Sequence, residues 1–111
     1  MSFASDELSD RIRDTLDPRL SITEQKMFGG RAFMLAGNML VAVMKEGSLL
    51  VRVGKENQEQ YLSEPGATLM RMGDRTMTGF LEVSGDVLED EDILMHWIGA
   101  ALAFVRTLPP K

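Results

Sequence analysis

Apolar residues dominate the stretch from Met27 to Val53, with short polar breaks at Gly37-Asn38 and at Lys45-Glu46-Gly47. Apolar runs bounded by glycine-containing pairs read as antiparallel strands joined by tight hairpins. A Gly37-Asn38 turn pairs Ala36 with Met39, Leu35 with Leu40, Met34 with Val41 and Phe33 with Ala42. A Glu46-Gly47 turn pairs Lys45 with Ser48, Met44 with Leu49, Val43 with Leu50, Ala42 with Val51 and Val41 with Arg52. Side chains alternate across a sheet. This register therefore predicts one face of Phe33, Leu35, Leu40, Ala42, Met44, Leu49, Val51 and Val53, the natural seat for helices. The opposite face carries Met34, Met39, Val41, Val43, Leu50, Ser48 and Arg52. It too is largely apolar, although the back of a two-layer sheet normally meets water. A cover from within the chain or from a partner is expected there. A one-residue slip in either turn exchanges the faces.

The flanking segments carry a helical period. Leu8, Ile12 and Leu16 are spaced by four, and the positions between them are mostly charged, which predicts a helix over Asp6–Leu16 with Ser5 as its N-cap. Asp17-Pro18 ends it. Residues 22–28 look extended and lead into the meander. Met27-Phe28-Gly29-Gly30 reads as a bulge in a long first strand. A phosphate-cradling loop is the sharper alternative, but it requires a helix to follow, and Arg31–Leu35 has strand character. Gly54–Leu62 reads as a short surface helix anchored by Tyr61 and Leu62 and stopped by Pro65-Gly66. Two further strands, Thr68–Met72 and Thr78–Val83, flank a Gly73-Asp74-Arg75-Thr76 turn. Four carboxylates among Leu88–Asp92 complement the start of a last helix. They lack the alternate ligands and central glycine of a calcium loop. Beyond them Ile93, Leu94, Met95, Trp97, Ile98, Ala101, Leu102, Phe104 and Val105 leave only His96, Gly99, Ala103 and Arg106 as a polar stripe. So wide an apolar surface predicts burial on more than one side, by the sheet and by a partner subunit. The predicted fold is α+β, a two-layer sandwich on an antiparallel sheet in α-β(3)-α-β(2)-α order.

Composition narrows the function classes. The 111 residues fit one domain, residues 1–111, and the 44% hydrophobic and 26% charged fractions are those of an ordinary globular chain. No apolar run spans a bilayer, and the N-terminus lacks the basic and apolar regions of a signal peptide, so a cytoplasmic protein is the simplest reading. Cysteine is absent, which removes disulfides, thiolate metal sites and thiol nucleophiles. A net charge of −5 and a pI near 4.8 oppose direct binding to nucleic acid, and no basic helix offsets them. Nine methionines suit either core filling or an adaptable contact surface.

Candidate chemistry is sparse. His96 is the single histidine, and no serine or cysteine nucleophile pattern accompanies it. Glu82, placed opposite an arginine, is equally unspecific. No catalytic residue, cofactor or metal is assigned. Arg31, Arg52, Arg71 and Arg75 lie on or beside the sheet and carry the alternative of a small-molecule or anion-binding module. Arg52 interrupts an apolar stretch, which places it beside a carboxylate or at a rim.

Several features in order carry a resemblance. These are Met27-Phe28-Gly29-Gly30, Val51-Arg52-Val53-Gly54, Pro65-Gly66, Met77–Val83, and Trp97 followed by Ala101-Leu102. Together they resemble the N-terminal domain of the TfoX (Sxy) family, bacterial proteins associated with competence regulation, over about Leu8–Leu108. The resemblance implies a layout similar to secretion-chaperone-like folds, many of which are dimers. It implies no catalytic residues and no DNA-reading motif. Fuller members carry a second, C-terminal domain and this chain stops at Lys111, so competence regulation does not carry over directly. The expectation is a non-enzymatic homodimeric interaction domain with an unidentified protein partner, and its candidate contact residues are Met34, Val41, Val43, Leu50, Arg31, Arg52 and Trp97.

Overall fold

The computed structural model describes residues 3–27 and 30–110. Helix α1 (Phe3–Thr15) precedes four strands, β1 (Ile22–Met27), β2 (Gly30–Leu35), β3 (Asn38–Val43) and β4 (Leu49–Arg52). A 3-10 turn over Lys55–Asn57 and helix α2 (Gln58–Leu62) lead to β5 (Ala67–Met72) and β6 (Arg75–Val83). Another 3-10 turn, Val87–Glu89, opens onto helix α3 (Glu91–Val105). The strands form one antiparallel sheet in the order β1-β2-β3-β4-β6-β5. The α+β two-layer architecture is thus as expected, with one strand more than the predicted order.

That extra strand corrects the reading of Met27–Gly30. The expected single long strand is two, since β1 folds back on β2 from Ile22↔Leu35 to Met27↔Gly30. Phe28 and Gly29, where the bulge was expected, lie outside the described residues. At the N-terminus α1 begins at Phe3, so Ser5 is inside the helix rather than its cap. Its stripe behaves as the spacing requires, with Leu8, Ile12 and Leu16 all buried.

The first central turn sits one residue before its predicted place, and the second is one residue longer than predicted. Leu35 pairs with Asn38, so Ala36-Gly37 forms the loop, with φ of 52° and 83° at its two residues. Two positive φ values in a two-residue loop match the twist of the strands. The second loop has three residues, Lys45–Gly47, closed by Met44 N–H to Ser48 O at 2.8 Å and Gly47 N–H to Met44 O at 3.0 Å. Val43 therefore faces Leu49, Ala42 faces Leu50 and Val41 faces Val51. Between these turns β3 carries a bulge. Phe33 pairs with Val41 but Met34 pairs with Met39, which leaves Leu40 without an opposite residue. Leu40 and Val41 consequently both belong to the core on the helix side.

The faces follow from that bulge. Phe33, Leu40, Val41, Val43, Leu49, Val51, Val53, Leu81 and Val83 form the core with the inner sides of α1 and α3. Val41 and Val43, expected on the back of the sheet, are 1% and 0% exposed in this core. Ala42 and Met44, expected on the helix side, join the back instead. Arg11 ties the helices together, donating from Nε to Glu91 Oε1 at 3.0 Å and from Nη2 to Leu88 O at 2.7 Å. The acidic run before α3 serves its start, with Asp90 as N-cap accepting from Asp92 N–H at 2.9 Å. No helix among the described residues is long and apolar enough to cross a membrane.

Candidate interaction surface

All the helical contacts to the core lie on one side of the sheet, and the other side carries a second apolar cluster. Ala32, Ala42, Leu50 and Met70 form its floor, with Met27, Met34, Met39, Met44, Met77 and Phe80 packed over them. Register explains the arrangement. Ala32, Ala42 and Leu50 lie side by side across β2, β3 and β4, and the Met34–Met39 pair stands beside them. The two alanines offer only methyl groups to fill that row, and long unbranched thioethers pack against it. The floor is shut off from water, yet those methionines remain half-buried. Methionine suits such a cover, because three rotatable bonds and a polarizable sulfur let it repack against surfaces of different shape. A continuous apolar patch that no element among the described residues covers is a feature of contact surfaces.

Two charged side chains edge this face. Arg52, next in alternation to Leu50, sits with its guanidinium carbon 5.6 Å from the Phe80 ring centre and 5.7 Å from that of Phe104. It is at a rim, as one of the two expectations held, and the flanking rings attract its charge. Glu82 pairs across the sheet with Leu50 and Thr68 rather than with an arginine, and it accepts a hydrogen bond from Ser48 Oγ at 2.7 Å. Neither Arg52 nor Glu82 makes an ion pair among the described residues.

Arg31 belongs elsewhere. It pairs with Val43, on the helix side, and donates from Nη1 to Glu24 Oε1 at 3.1 Å. Arg13 of α1 reaches the same carboxylate from Nε at 2.7 Å and Nη2 at 2.8 Å. Glu24 thereby holds two arginines at the seam between α1 and the β1 edge. The Arg13 hydrogen bonds, with a smaller contribution from Arg31, hold its carboxyl below the ordinary carboxylate range. A depressed folded-state pKa means stability that is present above the unfolded pKa and is lost as pH falls through the folded one. Glu24→Gln is expected to lower stability by about 1 kcal/mol at neutral pH. Denaturation midpoints should converge for the two proteins as pH drops below the carboxylate range. A gap that persists in acid would count against this assignment.

The remaining candidates separate. Trp97, expected at a partner interface, is 1% exposed and belongs to the core, where α3 presses it against the sheet. Arg71 and Arg75 are exposed beside the β5–β6 turn, on strands away from β2, so the four arginines do not converge on one anion site. His96 is not solitary. Its Nε2 lies 2.8 Å from Glu64 Oε1, and its ring stacks near Tyr61 and Trp97 at 5.9 and 5.6 Å. A cavity of about 250 Å³ beside this pair is lined by Glu64, Pro65, Asp92, Ile93, His96 and Trp97. The two side chains are hydrogen-bonded, and the lining of the cavity offers no hydroxyl or amine.

Sequence reasoning placed Met34, Met39, Leu50 and Arg52 on the open face and missed Met27, Ala32, Ala42, Met44, Met70, Met77 and Phe80. The nine methionines were the available signal, since six of them gather in this one cluster.

No curated protein matches the chain. The family model of the TfoX N-terminal domain matches residues 14–105, which takes in every strand of the sheet together with α2 and α3. The chain belongs to the TfoX N-terminal domain family.

Proposed function

We propose that this chain is a non-enzymatic protein-interaction domain that works through the open methionine face of its sheet. The single observation behind this reading is the second apolar cluster, which no helix among the described residues covers. The family suggests a regulatory role exercised through protein contacts rather than by reading DNA. The acidic balance agrees, because a net charge of −5 repels a phosphate backbone. The His96–Glu64 pair does not favour an enzyme, since one hydrogen-bonded pair defines no reaction.

Affinity capture of the tagged protein from its host tests this reading, with wild type, Met34→Glu and His96→Ala compared. Met34 is half-buried on the open face, so a carboxylate there spoils the contact surface while leaving the helix-side core intact. Wild type and His96→Ala should retain the same bound proteins, whether other copies of the chain or a regulator. Met34→Glu should lose them. Equal capture by Met34→Glu would refute the reading, as would a reproducible turnover abolished in His96→Ala.

A further inference from the structure

We infer that the methionine face docks on the same face of a second copy of this chain, with Arg52 of each copy paired to Glu82 of the other. This inference rests on the interaction reading above and names its partner. Arg52 and Glu82 stand on this face on adjacent strands, β4 and β6, opposite Phe80 and Leu50. Among the described residues Arg52 is held by two rings and Glu82 by one hydroxyl, and neither makes an ion pair. A docked partner must answer both charges, each with the opposite sign, at neighbouring points of one apolar patch.

The chain itself meets that requirement. An isologous interface brings the same patch of each subunit together about a two-fold axis. With that axis in the interface plane and passing between Arg52 and Glu82, each arginine stands over the other copy's glutamate, and both pairs form at once. The same axis lays methionines on methionines, side chains able to interdigitate without a fixed shape. Six strands about 4.8 Å apart and about six residues long give a projected footprint of about 500 Å². Standard interfaces bury about 800 Å² of accessible surface per partner. Side-chain relief raises the first number towards the second, so the dimer is expected to dissociate over a measurable concentration range.

Sedimentation of the full chain across concentrations, with circular dichroism to confirm folding, provides the test. Wild type should move from monomer to dimer. Arg52→Glu and Glu82→Arg should each weaken dimerisation about tenfold or more by setting like charges face to face. The double variant R52E/E82R should recover it. Mixing the two single variants should also restore a dimer, because each then supplies the charge the other lacks. Glu82→Arg leaves the two aromatic neighbours of Arg52 in place, so it reports on docking even where Arg52→Glu perturbs the fold. A wild-type chain that stays monomeric throughout, or single reversals that leave the dimer unchanged, would overturn the inference. A monomer whose captured proteins are still lost in Met34→Glu would overturn self-docking alone and leave the interaction reading standing. Met34→Glu that changes neither self-association nor capture would sink both.

Discussion

Trp97→Ala is expected to cost about 3–5 kcal/mol of folding stability, the range for removing a large aromatic side chain from a packed core. Trp97 is 1% exposed and lies among the buried side chains of α1, α3 and the sheet. Its ring also meets Tyr61 at 5.6 Å and His96 at 5.6 Å, so its loss unseats the contact between α2 and α3 as well. A domain of this size has a total stability of about 5–15 kcal/mol, so the variant sits near the unfolding threshold. The melting temperature should fall by about 15 °C. Far-UV circular dichroism is the right probe, because Trp97 is the protein's single tryptophan and the variant loses its indole fluorescence. Trp97→Phe keeps most of the volume and should recover more than half of the loss. A Trp97→Ala protein that melts within a few degrees of wild type but fails to self-associate would return Trp97 to the interface the sequence pattern had assigned it.

The elements were largely legible because their signals are local. The spacing of Leu8, Ile12 and Leu16 marks α1, and the acidic run before Ile93 marks the start of α3. The faces of β3 were not legible, and the reason lies in counting. A strand's inward set depends on every turn residue and every bulge before it. Ala36, a non-glycine residue at positive φ, took the turn position assigned to Asn38, and Leu40 added a residue that no pattern of apolar positions announces. The bulge alone sent Val41 and Val43 into the core and Ala42 and Met44 out of it, because moving a two-residue loop by one position shifts the register by two and keeps the faces; Met34 and Leu50 kept their places. The open face survived as an inference because β3 is apolar at nearly every position, so either register leaves apolar side chains behind the sheet. The Glu64–His96 contact joins residues 32 positions apart, and the Glu24 seam joins three elements. Such pairings depend on tertiary packing and leave no mark on local periodicity.

Gly54→Ala is expected to cost about 3 kcal/mol or more through two separable effects. Gly54 follows the end of β4 with φ 89° and ψ 148°, a region that residues with a Cβ rarely enter. It is also buried, and an added Cβ would stand 2.4 Å from Phe104 Cδ1. The backbone cannot retreat easily. Gly54 N–H donates to Gly79 O at 3.0 Å, beside the Val53 N–H bond to the same oxygen at 2.9 Å, and Gly79 N–H donates to Gln58 Oε1 at 2.6 Å. The clash must therefore be relieved by the Phe104 ring, at the expense of its packing. A double-mutant cycle separates the effects by adding Phe104→Ala, which removes the ring and leaves only the dihedral strain. In that background Gly54→Ala should cost about 1–2 kcal/mol, less than it does alone. Additive losses in urea unfolding would show that the ring is no obstacle. Phe104 is also one of the two rings that hold Arg52 at the edge of the methionine face. A displaced ring frees the guanidinium to wander, so Gly54→Ala should weaken self-association under conditions where the variant is still fully folded. The glycine that ends Val51-Arg52-Val53-Gly54 then has a reason beyond the turn it makes. It lets the helix-side core supply the ring that positions a charge on the opposite face.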